Sequence, residues 1–249
     1  MTEKPHTVKS YEEQLQHLSN DLVIMGGNCE LAFSNAIKAI CKNDHVLAND
    51  VINNDAIIDN FETQIEQEVV NLIALRQPMA IDLRETVTAL KMSSDLERVG
   101  DLAKNIAKRT KLIKKKLPNE LTESIERVGL LVQKQLKSVL DSYTNRSPDI
   151  AQDVWEKDEQ VDDLTNKCME EVIKYLKSDS ENIEYGSHLL FVTKNIERAG
   201  DHITNIAESL FYLIEGEHIE GARPKGKDFD SNSQSIFPLN FGLNRKMSM

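Results

Sequence analysis

Carboxylates four positions apart recur in this chain: Glu97 and Asp101 within ERVGDLAKNIA, then Glu197 and Asp201 within ERAGDHITNIA one hundred residues later. On an α-helix, at about 100° per residue, Glu97, Asp101 and Asn105 line up as a stripe about 80° wide, and Glu197, Asp201 and Asn205 do the same. Such carboxylates have Cβ atoms about 6 Å apart, so their oxygens can converge on one cation or bridge two. Ligands that are all oxygen select hard ions such as Mg²⁺, Ca²⁺, Mn²⁺ or ferric iron. The competing account is a solvated face, with Arg98–Asp101 and Arg198–Asp201 as i,i+3 ion pairs worth a few tenths of a kcal/mol. Recurrence in matching places favours the cation.

A second acidic pair is duplicated too. ANDVINNDAIIDNF aligns with AQDVWEKDEQVDDL at an offset of 103, matching Asp55 to Asp158 and Asp59 to Asp162. The apolar positions Ile58, Phe61, Ile65, Val69 and Leu72 mark a buried helix face with Asp55 and Asp59 on its flank. A neighbouring antiparallel helix would bring Asp55, Asp59, Glu97 and Asp101 together in one half, and Asp158, Asp162, Glu197 and Asp201 in the other. Asn105 and Asn205 are placed to hydrogen-bond a ligated carboxylate. Gly100 and Gly200 fall mid-helix at a cost of about 1 kcal/mol each relative to Ala, which implies either a close ligand or close helix packing.

The elements needed to hold these groups are helices. Only 10 Gly and 6 Pro, with aromatics at 5% and charged residues at 29%, describe a chain rich in helix formers. Helical periodicity predicts six segments at about 8–42, 45–76, 80–115, 120–145, 148–177 and 183–215, with breaks at KND, QPMA, KKLPNE, NRSPD and KSDSEN. The expected fold is all-α: two tandem pseudo-symmetric three-helix bundles over 8–116 and 120–215, followed by a flexible tail over 216–249. Within that tail, SIFPLNFGL is apolar enough for a short docking segment.

Composition narrows the function. A net charge of −11 argues against nucleic-acid binding and for a protein or cation partner. The first residues lack the apolar run of a signal peptide and no later stretch reaches the length of a membrane span, so a cytoplasmic protein is expected. Cys29, Cys41 and Cys168 show no CxxC spacing and read as small buried thiols. His188 and His202 form no HExxH pattern, and the Glu-x-x-His set of di-iron bundles is missing after Glu97 and Glu197. No P-loop, G-x-S-x-G or Cys/His nucleophile arrangement is present, so no catalytic residue is assigned. A carboxylate-metal hydrolase or redox enzyme on a helical bundle is the competing reading.

The chain resembles the PhoU family of accessory regulators of bacterial phosphate transport over about residues 8–215, through RQPMAIDLR, DLERVGDLAKNIA and NIERAGDHITNIAE. The resemblance implies a fold of two three-helix bundles carrying multinuclear iron or zinc on the paired acidic motifs. It picks out Asp55, Asp59, Glu97, Asp101, Asp158, Asp162, Glu197 and Asp201. It implies a negative regulator of phosphate uptake and of the phosphate-starvation response, an adaptor between the transporter's ATPase subunit and a sensor histidine kinase, with a homodimer as the expected assembly. Arg76, Asp82 and Arg84 read either as a Pro-broken helix corner with local ion pairs or as candidate partner contacts. The second half lacks the Arg-Gln-Pro element, and the family pattern does not account for the tail.

Overall fold

The computed structural model describes residues 5–226, in which no strand occurs. The helices are α1 (Pro5–Lys42), α2 (His45–Arg76), α3 (Ile81–Thr110), α4 (Asn119–Asn145), α5 (Pro148–Glu156), α6 (Asp158–Ser178) and α7 (Ile183–Glu215), with a 3₁₀ turn at Ser180–Asn182. The all-α expectation holds. No helix among the described residues is long and apolar enough to cross a membrane. The apolar segment SIFPLNFGL lies outside the described residues.

Local chemistry accounts for the breaks. Asn43 adopts a left-handed φ of 52°, and Asp44 then caps α2 by accepting from the Val46 and Leu47 amides at 3.0 Å each. Gln77 ends α2 in the left-handed region, and Pro148 opens α5 at its first turn. The chain leaves α3 at Thr110, five residues before the periodicity predicts. Two tight turns there fold Ile113 into the core, fully buried. The single helix expected over 148–177 is instead two, interrupted at Lys157, although neither Gly nor Pro marks the site. At the break the Lys157 carbonyl accepts from the Gln160 N–H at 3.1 Å and from the Gln135 amide at 3.4 Å.

α1, α2 and α3 pack on one another, as do α4, α5, α6 and α7, and the two groups join through α3 against α7 and α1 against α4. Their buried apolar residues form one contiguous cluster that includes Phe33, Ile58, Leu96, Ile106, Leu136, Ile196 and Leu210. Each such side chain contributes about 1.5–3 kcal/mol by leaving water. Polar pairs reinforce the junction. His202 meets Asp95 at 2.9 Å, and an Arg109 nitrogen lies 3.2 Å from His188 Nδ1. The two histidines thus pair with α3. Residues 217–226, expected to be flexible, lie against the second group: Ile219 packs on the core, and His218 stacks on Tyr212 with ring centroids 4.6 Å apart.

Candidate functional site

The acidic stripes owe their meeting to two close helix contacts. A Cβ at Gly100 would lie 3.0 Å from Ile58 Cδ1, and one at Gly200 would lie 3.1 Å from Val161 Cγ1. Ile58 and Val161 each follow the buried aspartate of their half, Asp55 or Asp158, by three residues. The glycines let α3 approach α2, and α7 approach α6, at the level of the carboxylates. Of the two readings of the glycines, the structure shows the packing one.

In the first half the structure brings Asp55, Asp59, Glu97 and Asp101 into one electrostatic neighbourhood. Asp55 is only 3% exposed, whereas Asp59 faces solvent. The Lys104 ammonium stands inside the group, donating to Asp55 and lying 3.5 Å from Asp101 Oδ1. Partial burial raises the Asp59 carboxyl, and the charges of Asp55 and Asp101 add to this while Lys104 opposes it. Glu97 is perturbed most: burial, then the negative charge of Asp101, pushes its carboxyl from 4.5 to about 7. Its Oε2 is buried and accepts no hydrogen bond, the nearest cation being Arg98 Nε at 3.4 Å. Glu62, which the sequence reading did not include, joins this group; burial raises it and Arg98 opposes. It lies three residues after Asp59 on the same helix flank, which was the signal available. Asn105 is exposed.

The second half gathers Asp158, Asp162, Glu197 and Asp201 in the same arrangement. Asp158 is 2% exposed and accepts from the Thr204 hydroxyl at 2.9 Å. Burial raises the Asp162 carboxyl, the Gly226 N–H lowers it, and Asp158, Glu197 and Asp201 raise it further. Glu197 pairs with Lys194 at 2.6 Å. The cation inside this cluster is Arg223, a residue the sequence reading missed. Its Nε donates to Asp158 Oδ2 at 2.7 Å, and its Nη2 donates to Asp158 Oδ1 and Asp201 Oδ1 at 2.8 Å each. Its Nη1 lies 3.5 Å from Asn205 Oδ1.

The donor chemistry of both clusters suits a hard cation. All the donors are carboxylate oxygens, and the buried Glu97 Oε2, which accepts no hydrogen bond, is an acceptor that a cation would satisfy. Each cluster already contains a protein cation, however, so loading requires Lys104 or Arg223 to move. Among the described residues, three ligand atoms come within 4.8 Å of one another at His17, Asp21 and Glu68 and in neither acidic cluster. A hydrogen bond to Glu68 raises the His17 pKa, and the Gln64 amide donates to Asp21 at 2.6 Å. His17 and Gln64 therefore already hydrogen-bond those carboxylates without a metal.

A model of the PhoU domain matches twice, over residues 22–110 and 125–210. The chain belongs to the PhoU family. Among PhoU relatives, a phosphate-specific transport system accessory protein PhoU homolog of Caulobacter vibrioides is 48% identical over 226 residues, covering 90% of this chain and 97% of the relative. The homolog of the same description from Rhizobium meliloti is 41% identical over 221 residues, covering 88% and 93%. The crystal structure of PhoU from Pseudomonas aeruginosa superposes with a TM-score of 0.76 at 30% identity, covering 83% of this chain and all of that one. The phosphate transport system regulatory protein PhoU from Streptococcus pneumoniae gives 0.78 at 30%, covering 85% of this chain and all of that one.

The remaining PhoU-like motif, RQPMAIDLR, sits at the α2–α3 corner. Arg76 Nε donates to Gln14 at 2.9 Å. Arg84 donates to the Tyr212 carbonyl at 3.4 Å and lies 6.0 Å from the centre of that ring, tying the corner to the end of α7. Asp82 begins α3, in its first turn. Around them Leu75, Met79 and Ile81 are 75%, 79% and 56% exposed.

Proposed function

We propose that this chain is a cytoplasmic negative regulator of phosphate uptake and of the phosphate-starvation response, acting as an adaptor between the phosphate transporter's ATPase subunit and a sensor histidine kinase. The observation that carries the regulatory reading is the near full-length match to accessory proteins of phosphate-specific transport, 97% of the Caulobacter vibrioides relative. The exposed apolar corner formed by Leu75, Met79 and Ile81, flanked by Arg76 and Asp82, supports partner contact there. A homodimer is the proposed assembly.

The acidic clusters are proposed as metal centres. Asp55, Asp59, Glu97 and Asp101 would hold one set of ions, and Asp158, Asp162, Glu197 and Asp201 the other, with Asn205 oriented toward the second. Iron or zinc is the proposed metal, and Mg²⁺, Mn²⁺ or Ca²⁺ would suit the same oxygens. The buried Glu97 Oε2, which accepts no hydrogen bond, supports this reading.

Deleting the gene tests the function. Alkaline phosphatase and phosphate import are expected to become active in phosphate-rich medium and to be repressed again when the intact chain is restored. Normal repression in the deletion strain overturns the proposal.

A further inference from the structure

The two repeats differ at a position that decides how their acids are neutralised. Lys104, whose ammonium contacts Asp55 and Asp101, corresponds to Thr204 one hundred residues on. The second half therefore lacks the cation its own helix would supply. Asp158 is nonetheless buried, and a buried carboxylate without a countercharge is unfavourable by several kcal/mol. The charge arrives from beyond the last helix.

After Gly216 the chain runs back along the second group of helices. Arg223, with its side chain 17% exposed, makes a two-pronged contact with Asp158 and reaches Asp201 with the same guanidinium. Three residues later the Gly226 N–H donates to Asp162 Oδ2 at 2.9 Å. Three of the four carboxylates are thus held by one short stretch. A Cβ at Gly226 would lie 2.5 Å from that of Asp162, so the backbone lies closer to α6 than a larger residue permits. A planar guanidinium fork suits a carboxylate better than a lysine would.

We propose that the second acidic cluster is the binding site of the chain's own 221–226 segment, with Arg223 as its occupant, and that a multivalent cation competes with this segment for the same carboxylates. The competition rests on the metal reading given under Proposed function. Arg223 donates to both oxygens of Asp158 and to Asp201, so an ion coordinated by those atoms displaces the guanidinium and, with it, the strap. Lys104 differs because its ammonium ends a flexible four-carbon stem rooted in α3 and can swing away without backbone movement. The first cluster loads silently, whereas loading of the second releases a segment.

The test uses the full chain with Mn²⁺ alone as probe, measuring bound ion by equilibrium dialysis and amide exchange over residues 217–226 by mass spectrometry. In an Asp101→Ala background, which cripples the first cluster, Arg223→Ala is expected to tighten Mn²⁺ binding about tenfold or more, the gain from removing one charge-assisted competitor. Arg223→Lys should fall between. Gly226→Leu, which keeps Arg223 but lifts the strap, should tighten binding less than Arg223→Ala. In the wild type, saturating Mn²⁺ should accelerate exchange over 217–226. Unchanged affinity in Arg223→Ala, or exchange indifferent to Mn²⁺ while the second cluster fills, overturns the competition. Uptake by the wild type that Asp101→Ala abolishes, with none at the second cluster in any variant, overturns the competition and leaves the metal reading standing. No carboxylate-dependent uptake anywhere overturns both.

Discussion

The two acidic clusters share carboxylates, glycines and helix geometry, yet they are neutralised from different places. In the first, Lys104 comes from the same helix as Asp101, three residues away. In the second, that position is Thr204, and the positive charge comes from Arg223, 22 residues beyond Asp201. Duplication has kept the acids, whose geometry depends on the packing of Gly100 on Ile58 and Gly200 on Val161. It has not kept the countercharges, which need only reach the oxygens from somewhere. A repeat can thus preserve a donor set while making one copy intrinsic to the bundle and the other dependent on a terminal strap.

The largest expected effect tests where each countercharge is rooted. Lys104→Ala leaves Asp55 buried and without the ammonium that contacts it, a loss of about 2 kcal/mol, or ~6 °C in Tm. Arg223→Ala should lower Tm by about half as much. The Thr204 hydroxyl still serves Asp158, and departure of the strap admits water. Thermal unfolding followed by circular dichroism compares the two. Equal losses would remove the distinction between the clusters. Thr204→Lys sharpens it: with an ammonium restored at the matching place, Arg223→Ala should lower Tm by no more than ~1 °C.

A smaller effect separates the second member of each α2 or α6 pair. Asp162→Asn weakens the bond from the Gly226 N–H, worth about 1 kcal/mol, and should speed proteolysis of 217–226. Asp59→Asn, on an exposed side chain, should change Tm by less than ~1 °C. Cleavage followed by mass spectrometry reads the first and calorimetry the second. Equal protease sensitivity in wild type and Asp162→Asn would mean that the strap is held by Arg223 alone.

Much of this arrangement is legible in residue patterns. Helical periodicity places α1, α2, α4 and α7 within a few residues, because their buried faces repeat every three or four positions and Asp44, Pro148 and Gly216 mark ends. The duplicated ExxxD and DxxxD pairs identify which acids meet. Arg223 was not legible, because GARPKGKD has no periodicity to orient it and its role depends on a contact made across 65 residues. The available hint was the mismatch of Lys104 with Thr204, which leaves one cluster short of a charge. The interruption at Lys157 had no local signal, since Glu156, Lys157 and Asp158 are all compatible with a continuous helix. Burial depth was hidden as well: Asp55 and Asp158 are 3% and 2% exposed, a depth set by the packing of distant segments.

The remaining effect depends on pH and concerns Glu97, whose carboxyl is shifted from 4.5 to about 7 by burial and by Asp101, with Glu62 and Asp59 adding and Arg98 opposing. Because the folded-state pKa lies above the unfolded one, the native state holds its proton more tightly. The resulting stabilisation is full below pH 4.5, declines as pH rises, and is gone above about pH 7. Glu97→Gln replaces the titrating group by a neutral one of the same shape. The variant should match the wild type at pH 4.5 and exceed it at pH 8 by a few degrees in Tm, with the gap opening across that interval. Thermal unfolding at several pH values measures this with the metal chelated, so that only the protein's own charges contribute. Glu197 is instead paired with Lys194 at 2.6 Å, so Glu197→Gln removes an ion pair and should not stabilise the chain at pH 8. A gap of equal size at both positions would show that the clusters repel their central glutamates alike, and that the countercharge from α3 and that from the strap are electrostatically equivalent.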